Sequence, residues 1–323
     1  MSECTLPNTA PNPGHCLLPD GYTVSLAEPL KVDLQLPLLE LLRRASTELP
    51  ADVVRALMSQ RDKEEIGSRA YNTLGTMLEN VAVAASAQAP LCQDTGSVVF
   101  FVRHPFGFSQ RALKAQIRAA VQEATKRSWL RPNCVAALSG KNSGNNMDPF
   151  HENHPVIHFE EWEQEGVEIA VMLKGGGSEN VGAQYRLPDV AIGAGRDIEG
   201  VRRCVIDAVV KAQGQGCAPG ILSVAIGGDR VTSFEHSKAN LIRKIGSSNP
   251  DPTLDAMEKR LVEELNSLGI GPMGYGGRTT ALAVFLEELY RHPASFYVSI
   301  SYMCWSNRRL TLALPVAGPV EYR

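Results

Sequence analysis

Apolar residues recur every three or four positions in several segments, which is the pattern of helices with one buried face. The pattern becomes helical from Leu36, and another clear instance covers residues 109–128. Further helices are predicted at about 197–213 and 253–267. The clearest faces carry Leu74, Met77, Leu78 and Val81 and, within 109–128, Leu113, Ile117, Val121 and Ala124.

Continuous apolar runs between these segments predict buried strands. They are SVVFFV (97–102), VEIAVML (167–173), GILSVAIGG (220–228), FYVSISYM (296–303) and LTLALP (310–315). Strands and helices alternate, but without the strict repeat of a doubly wound sheet. The pattern therefore predicts a mixed α/β (α+β) fold, with helices packed around a small mixed sheet in one or two lobes and functional loops at strand ends.

Residues 1–34 differ from the rest because they are rich in Pro, Asn and Thr and show no periodicity. We interpret them as a flexible N-terminal tail, and Cys4, His15 and Cys16 within them as incidental. The remaining chain shows neither an internal repeat nor a low-complexity linker. We therefore expect one domain over residues 35–323.

The 323-residue chain has a formal net charge of −3 and 44% hydrophobic residues. This composition supplies a sizeable core but no basic field for nucleic acid or an anionic membrane. The stretch MSECTLPNTAPNPGHC lacks the apolar centre of a signal peptide, and charges interrupt runs such as TTALAVFLEELY before they reach membrane-spanning length. We expect a cytoplasmic protein that binds neither nucleic acid nor membrane.

The seven cysteines fall into different surroundings. Cys204 lies on an apolar helix face and Cys134 follows a Pro-Asn turn, so both are interpreted as core residues. Cys92, Cys217 and Cys304 each lie where a loop meets a predicted strand. No compact Cys-x-x-Cys pair exists, which excludes a zinc ribbon or a ferredoxin-type signature. On spacing alone, three unrelated thiols remain the simpler interpretation.

Two glycine-dense segments favour a functional role for Cys92, Cys217 and Cys304. They are KGGGSEN (174–180) and GIGPMGYGG (269–277). Neither matches a phosphate-binding loop, and the second has Pro272 inside it and follows a predicted helix where a dinucleotide turn would follow a strand. A nucleotide site is therefore disfavoured.

Seven blocks of this sequence occur in the order found in the α subunit of class I iron–sulfur hydro-lyases. The family includes class I fumarate hydratases and L-tartrate dehydratases, and the resemblance runs from about residue 36 to 314. The blocks are LENVAVAASAQAPLCQDTG, LRPNCV, KNSGNN, VMLKGGGSEN, GCAPGILSVAIGGDR, GIGPMGYGGRTTALAV and RHPASFYVSISYMCWSNRR. The segment 147–166 looks longer than usual in that family and adds His151 and His154.

The resemblance implies that Cys92, Cys217 and Cys304 hold a [4Fe–4S] cluster with one open iron. Three thiolates leave one iron without a protein ligand, and that iron can act as a Lewis acid toward substrate oxygens. The resemblance further implies an oxygen-sensitive hydro-lyase domain over 35–323. Its substrate would be a C4 dicarboxylate, in the fumarate/malate or L-tartrate/oxaloacetate reaction.

The resemblance also assigns roles to residues near these blocks. Asp94 and His292 correspond to catalytic groups, with His292 acting across a subunit interface, although Asp94 also has the sequence context of a turn-capping residue. Gln93 and Arg131 correspond to substrate-binding groups, and the guanidinium fork of Arg131 suits a carboxylate. Three further positions would offer backbone N–H groups to a carboxylate: Gly175, Gly176 and Gly177.

In this family a C-terminal β domain supplies further arginines, a lysine and a threonine to the active site. The sequence ends at Arg323, shortly after the last block. We therefore expect one half of a catalyst that needs a β subunit carrying that domain and makes an α–α contact. Two alternatives stay open: a different 2-hydroxy acid admitted by the 147–166 segment, and a cluster-binding sensor or non-catalytic partner subunit that retains the fold.

Overall fold

The computed structural model describes residues 33–315 and 319–323. The predicted tail, with Cys4, His15 and Cys16, therefore lies almost wholly outside the described residues. No helix among the described residues combines the length and apolar character needed to cross a membrane.

The described residues begin with three helices, continue with interspersed strands and helices, and end with four consecutive strands. The helices are α1 (Gln35–Thr47), α2 (Ala51–Arg61), α3 (Arg69–Ala87), α4 (Gln110–Lys126), α5 (Gly176–Asn180), α6 (Ile198–Ala212), α7 (Arg230–Ala239) and α8 (Pro252–Ser267). The strands are β1 (Ser97–His104), β2 (Val156–Glu161), β3 (Val167–Lys174), β4 (Ala183–Arg186), β5 (Gly220–Ile226), β6 (Ala281–Glu288), β7 (Tyr297–Met303), β8 (Arg308–Leu314) and β9 (Glu321–Tyr322).

These strands form two mixed sheets, which confirms the predicted mixed α/β class. The first sheet has the order β2-β1-β3-β8-β9, with β1 and β2 parallel and the other pairs antiparallel. The second has the order β4-β7-β5-β6, with β5 and β6 parallel. The chain leaves the second sheet after Met303 and enters the first at Arg308, so a four-residue link joins the two sheets.

Each sheet packs against its own helices, and a third apolar cluster joins them. Leu113 and Ile117 of α4 are buried against the first sheet, and Val201 and Val205 of α6 against the second. The third cluster combines α2 and α3 with residues of both sheets and includes Cys304. The joint between the sheets is therefore itself a packed core.

The apolar periodicity predicted most elements correctly. The buried face of α4 carries the four predicted residues, and α3 buries Leu74 and Met77. Cys204 and Cys134 are 0% and 8% exposed, as expected for core residues. The pattern missed β2, whose side chains are half-buried or exposed, and β6, whose apolar run resembles a helix as much as a strand.

Candidate functional site

The cysteines at the predicted loop–strand junctions lie near the joint between the two sheets. Cys92 lies in the loop between α3 and β1, Cys217 between α6 and β5, and Cys304 directly after β7. Because Ile221 pairs with Met303 across the second sheet, the start of β5 lies beside the end of β7. This register brings Cys217 and Cys304 to the same end of the second sheet although they are far apart in the chain. We call this end of the sheet, with the adjoining Cys92 loop, the cysteine edge.

The three thiols are close enough for their charges to interact. Burial raises the pKa of the Cys217 thiol, and the negative charges of Cys304, Cys92 and Asp94 raise it further. Like charges in one place oppose ionisation unless a cationic group or a metal joins them. The fold therefore gathers three potential thiolate ligands near one another, and the surroundings of Cys217 disfavour its ionised form.

The backbone at Cys217 is shaped by the ring of Tyr302. Cys217 itself has φ 58°, in the left-handed region. A Cβ on Gly216 would lie 2.5 Å from Tyr302 Cε1, and a Cβ on Gly220 would lie 2.4 Å from Tyr302 Cζ. The two glycines that flank this cysteine are therefore required because a buried aromatic ring packs directly on the backbone.

We expect Gly220→Ala to destabilise the protein, because the added methyl group cannot coexist with the rigid, buried Tyr302 ring. The free energy of unfolding should fall by about 1–3 kcal/mol, the usual cost of overpacking. Gly75→Ala is the matched control, since its Cβ would meet no atom within 4 Å inside α3. The control should gain roughly 0.5–1 kcal/mol from helix propensity. Denaturant titration of both variants measures these changes, and a Gly220→Ala protein as stable as wild type would contradict the packing argument.

The glycine-dense segment 269–277 is hydrogen-bonded to the loop that carries Cys217. The Met273 N–H donates to the Ala218 carbonyl at 2.9 Å. A Cβ on Gly214 would lie 2.7 Å from the Met273 carbonyl oxygen. Within the segment the five glycines all have positive φ, and a Cβ on Gly271 would lie 1.7 Å from the Gly276 carbonyl oxygen, so backbone conformation and close packing account for them.

The same segment is held on its other side by Glu64, a buried carboxylate that follows α2. Glu64 Oε1 accepts hydrogen bonds from the Arg278 N–H at 2.9 Å and from the Thr279 hydroxyl at 2.6 Å. Glu64 thus ties the N-terminal helices to the C-terminal end of the glycine-dense segment.

Asp94 joins the Cys92 loop to the other glycine-dense segment. Its Oδ1 accepts a hydrogen bond from the Gly96 N–H at 3.0 Å, and its Oδ2 accepts one from the Gly176 N–H at 2.8 Å. The turn-capping role that the sequence left open is therefore present, and it holds the carboxylate in a fixed orientation. Gly175 is the N-cap of α5, and a Cβ on Gly177 would contact the Gln215 carbonyl at 3.4 Å.

Arg131 lies against the same loop from the side of α4. Its N–H donates to the Thr95 hydroxyl at 3.0 Å, and its Nη1 donates to the Gln93 carbonyl at 3.2 Å. Asn133 reinforces this contact by donating to Thr95 Oγ1 at 3.1 Å. The structure thus places Gln93, Asp94 and Arg131 together beside Cys92, with the Arg131 side chain exposed to solvent.

His292 is at the opposite end of β7 from Cys304. The strand has seven residues, which separates its two ends by roughly 20 Å. His292 is exposed, and its Nδ1 accepts a hydrogen bond from the Ala294 N–H at 3.1 Å. One chain therefore does not bring His292 to the cysteines.

Sequence reasoning missed two buried basic residues near the cysteines, Lys174 and Arg308. Lys174 ends β3 with its side chain 2% exposed and pairs with Glu179 at 2.8 Å, and Lys238 pairs with the same carboxylate at 2.6 Å. Burial lowers the pKa of Lys174, although Glu179 opposes this. Arg308 is 1% exposed at the start of β8. A lysine closing an otherwise apolar strand is the signal that could have identified the first of them.

The segment 147–166 contacts α4 through the Lys114–Glu152 ion pair at 2.7 Å and forms β2, which pairs with β1. With α4 it lines a cavity of about 1100 Å³ whose walls include none of the predicted site residues. The His154 carbonyl accepts a hydrogen bond from Arg118 Nη1 at 2.9 Å. Directly before the segment, Asn146 Nδ2 donates to the Arg131 carbonyl at 2.8 Å, which links it to the site.

Known proteins are similar in sequence to this chain. A protein from Geobacillus stearothermophilus assigned as fumarate hydratase class I is 43% identical over 274 residues, which cover 84% of this chain and 53% of that protein. The chain thus spans about half the length of that relative. A protein from Methanocaldococcus jannaschii assigned as L(+)-tartrate dehydratase subunit alpha is 37% identical over 84% of this chain and 93% of its own length.

The L(+)-tartrate dehydratase subunit alpha of Escherichia coli K12 is 32% identical over 83% of this chain and 86% of its own length. The family profile described as fumarate hydratase (fumerase) matches residues 37–313, which contain all three cysteine loops. The chain belongs to the fumarate hydratase (fumerase) family.

Proposed function

We propose that this chain is the cluster-binding half of a [4Fe–4S]-dependent hydro-lyase that adds water to, or removes it from, a C4 dicarboxylate. The observation that carries this proposal is the convergence of Cys92, Cys217 and Cys304 beside Asp94 and Arg131. The relatives named fumarate hydratase and tartrate dehydratase support the class of reaction and of substrate.

The residues present fit a cluster held by three thiolates. Among residues 33–315 and 319–323, no three Cys, His or carboxylate side chains are grouped tightly enough for a single metal ion. A four-iron cluster binds each thiolate at a different iron, so it needs ligands spaced more widely than a mononuclear site. Sulfur ligands also suit iron–sulfur chemistry.

When bound, the cluster would supply one iron without a thiolate ligand, a Lewis acid for the hydroxyl and carboxylate oxygens of the substrate. The exposed guanidinium of Arg131 would bind a substrate carboxylate with two parallel hydrogen bonds. Asp94, oriented by the Gly96 and Gly176 N–H groups, would accept a proton from the substrate and return it. His292 would be contributed by a second copy of this chain.

Assembly with a β subunit is part of the same proposal. Two relatives are named as subunit alpha of tartrate dehydratase. At the cysteine edge Lys174 and Arg308 are buried and Lys238 is paired with Glu179, whereas Arg131 is exposed. A substrate with two carboxylates needs more cationic contacts than this, and a β subunit docked over the cysteine edge would supply them.

The test is anaerobic co-expression of this chain with a β partner, followed by hydration or dehydration assays on fumarate, mesaconate and tartrate. Turnover of a C4 dicarboxylate with a loaded cluster supports the proposal, and relative kcat/KM values rank the substrates. A loaded complex inactive on every C4 dicarboxylate would contradict it and favour a cluster-binding sensor.

We expect Arg131→Lys to lower kcat/KM of the assembled enzyme by roughly 10- to 150-fold. An ammonium cannot make the bidentate contact, and a hydrogen bond to a charged group contributes about 1.5–3 kcal/mol. Arg127→Lys is the matched control, because Arg127 pairs with Glu123 on α4 at 2.8 Å, outside the site. Steady-state kinetics at equal iron content measures both, and equal losses in the two variants would remove Arg131 from the substrate site.

A further inference from the structure

Arg308 is a buried arginine with almost no partners. Its side chain is among the largest that are fully buried, at 1% exposure. Its Nη2 donates to the Asp94 carbonyl oxygen at 2.9 Å. Its Nε and Nη1 are buried without a hydrogen-bond partner in the part of the chain that the structure describes.

This arrangement is unusual because a guanidinium stays protonated in proteins and is costly to bury without a counter-charge. The next residue shows the ordinary solution. Arg309 is 5% exposed, and its Nη2 pairs with Asp52 at 2.5 Å. Within residues 33–315 and 319–323, Arg308 has no such carboxylate. Arg309 also donates to the Ile242 and Arg243 carbonyls, so that of its side-chain nitrogens only Nη1 is buried without a partner. The two adjacent buried arginines therefore differ in their number of hydrogen bonds and in the presence of a counter-charge.

The acidic side chains around Arg308 are already committed. Both carboxylate oxygens of Asp94 accept backbone hydrogen bonds, and Arg308 contacts only the Asp94 carbonyl. Glu179, across from the end of β3, is bound by Lys174 and Lys238. The protein groups that can still become negative are the thiols, since cysteines lose their protons when they bind a metal centre.

The position of Arg308 matches this source of charge. Arg308 lies four residues after Cys304, and Asp94, which accepts its side-chain hydrogen bond, lies two residues after Cys92. We propose that Arg308 is a positioning residue whose buried positive charge is the counter-charge of the three thiolates and of the cluster they hold. This inference rests on the proposed function, and it makes the cluster and the guanidinium stabilise one another.

The experiment compares Arg308→Gln and Arg308→Met with wild type and with Arg309→Met, all as the full chain loaded anaerobically with iron and sulfide. Both neutral Arg308 variants should lose iron to a chelator about tenfold faster, the usual effect of removing an outer partner of a metal site. Their cluster reduction potential, measured by an EPR-monitored titration, should shift to more negative values. Arg308→Lys, which keeps the charge, should restore the potential toward that of wild type.

For the cluster-free proteins we expect the opposite ranking, this time in thermal stability. Without a cluster, neutral Arg308 variants should be at least as stable as wild type in thermal unfolding, because an uncompensated charge is gone. Cluster-free Arg309→Met should be less stable, since the buried Asp52 loses its counter-charge, while its loaded form keeps the wild-type potential.

Each remaining outcome overturns the inference. Wild-type potential and iron retention in both neutral variants would assign Arg308 to folding alone. Failure of both neutral variants to fold would do the same. A wild-type chain that takes up no iron and sulfide would remove the proposed function itself, whereas a normally loaded wild type with unaffected variants would remove only the role of Arg308.

Discussion

Anaerobically reconstituted Cys217→Ser protein should lack the brown absorbance of an iron–sulfur cluster. A serine hydroxyl does not ionise near neutral pH and is a poor ligand for iron–sulfur chemistry, whereas a cysteine thiolate is the usual one. The loop cannot move to offer another ligand in place of Cys217, because its backbone is fixed. Cys217 has a left-handed conformation, the Cys217 carbonyl accepts a hydrogen bond from the Trp305 N–H, and the Ala218 carbonyl accepts one from the Met273 N–H. Cys92→Ser and Cys304→Ser should give the same result.

Two cysteine variants serve as controls for this experiment. Cys204 is fully buried on α6, and burial raises the pKa of its thiol to about 12, which makes it an inert core residue. Cys134 is buried outside the three cysteine loops. Cys204→Ser and Cys134→Ser should therefore load the cluster normally. Full iron and sulfide content in Cys217→Ser would refute the proposed ligand set.

The purified, cluster-loaded chain without a β partner should show essentially no hydratase turnover. At the cysteine edge Arg131 is exposed, while Lys174 and Arg308 are buried. Charge that develops on a substrate carboxylate would meet water instead of fixed donors, and losing even one such donor costs roughly 10²–10³ in kcat. An open site also weakens every remaining electrostatic contact through solvent screening. Steady-state hydration of fumarate by the chain alone measures this.

The control is the same preparation mixed with a β partner, at equal iron and sulfide content. Turnover should appear on mixing and saturate as the partner is added, since the complex completes the pocket. A chain whose kcat alone equals that of the complex would show that its own residues form the whole site, and the half-site interpretation would be abandoned.

The composition of the candidate site could be predicted to a large extent from local sequence. Cys92, Cys217 and Cys304 stood out because each sits where a polar or glycine-rich turn meets an apolar strand. The sequence predicted both a catalytic and a turn-capping role for Asp94, and the Thr-Gly that follows it indicated the capping geometry. Such signals depend on neighbours within a few residues, which is the range over which turn chemistry acts.

The limits of that reasoning appear where a residue's surroundings come from distant chain segments. Arg308 follows a short polar link and looks like an exposed arginine, but pairing with Leu173 of β3 places it inside the first sheet. His292 stands twelve positions before Cys304, yet β7 holds the two at opposite ends. Strand register sets both outcomes, and register depends on which strands pair rather than on local composition.

The sequence by itself determined the helix faces of α3 and α4, the buried strands that flank the site, and the position of three cysteines at loop–strand junctions. Periodicity and turn residues encode these features within single segments. Only the tertiary structure decided that the three cysteine loops meet, that Asp94 holds two of the motifs together, and that Arg308 is buried without a counter-charge. Those features arise from contacts between residues many positions apart, which form when both sheets pack on their shared core.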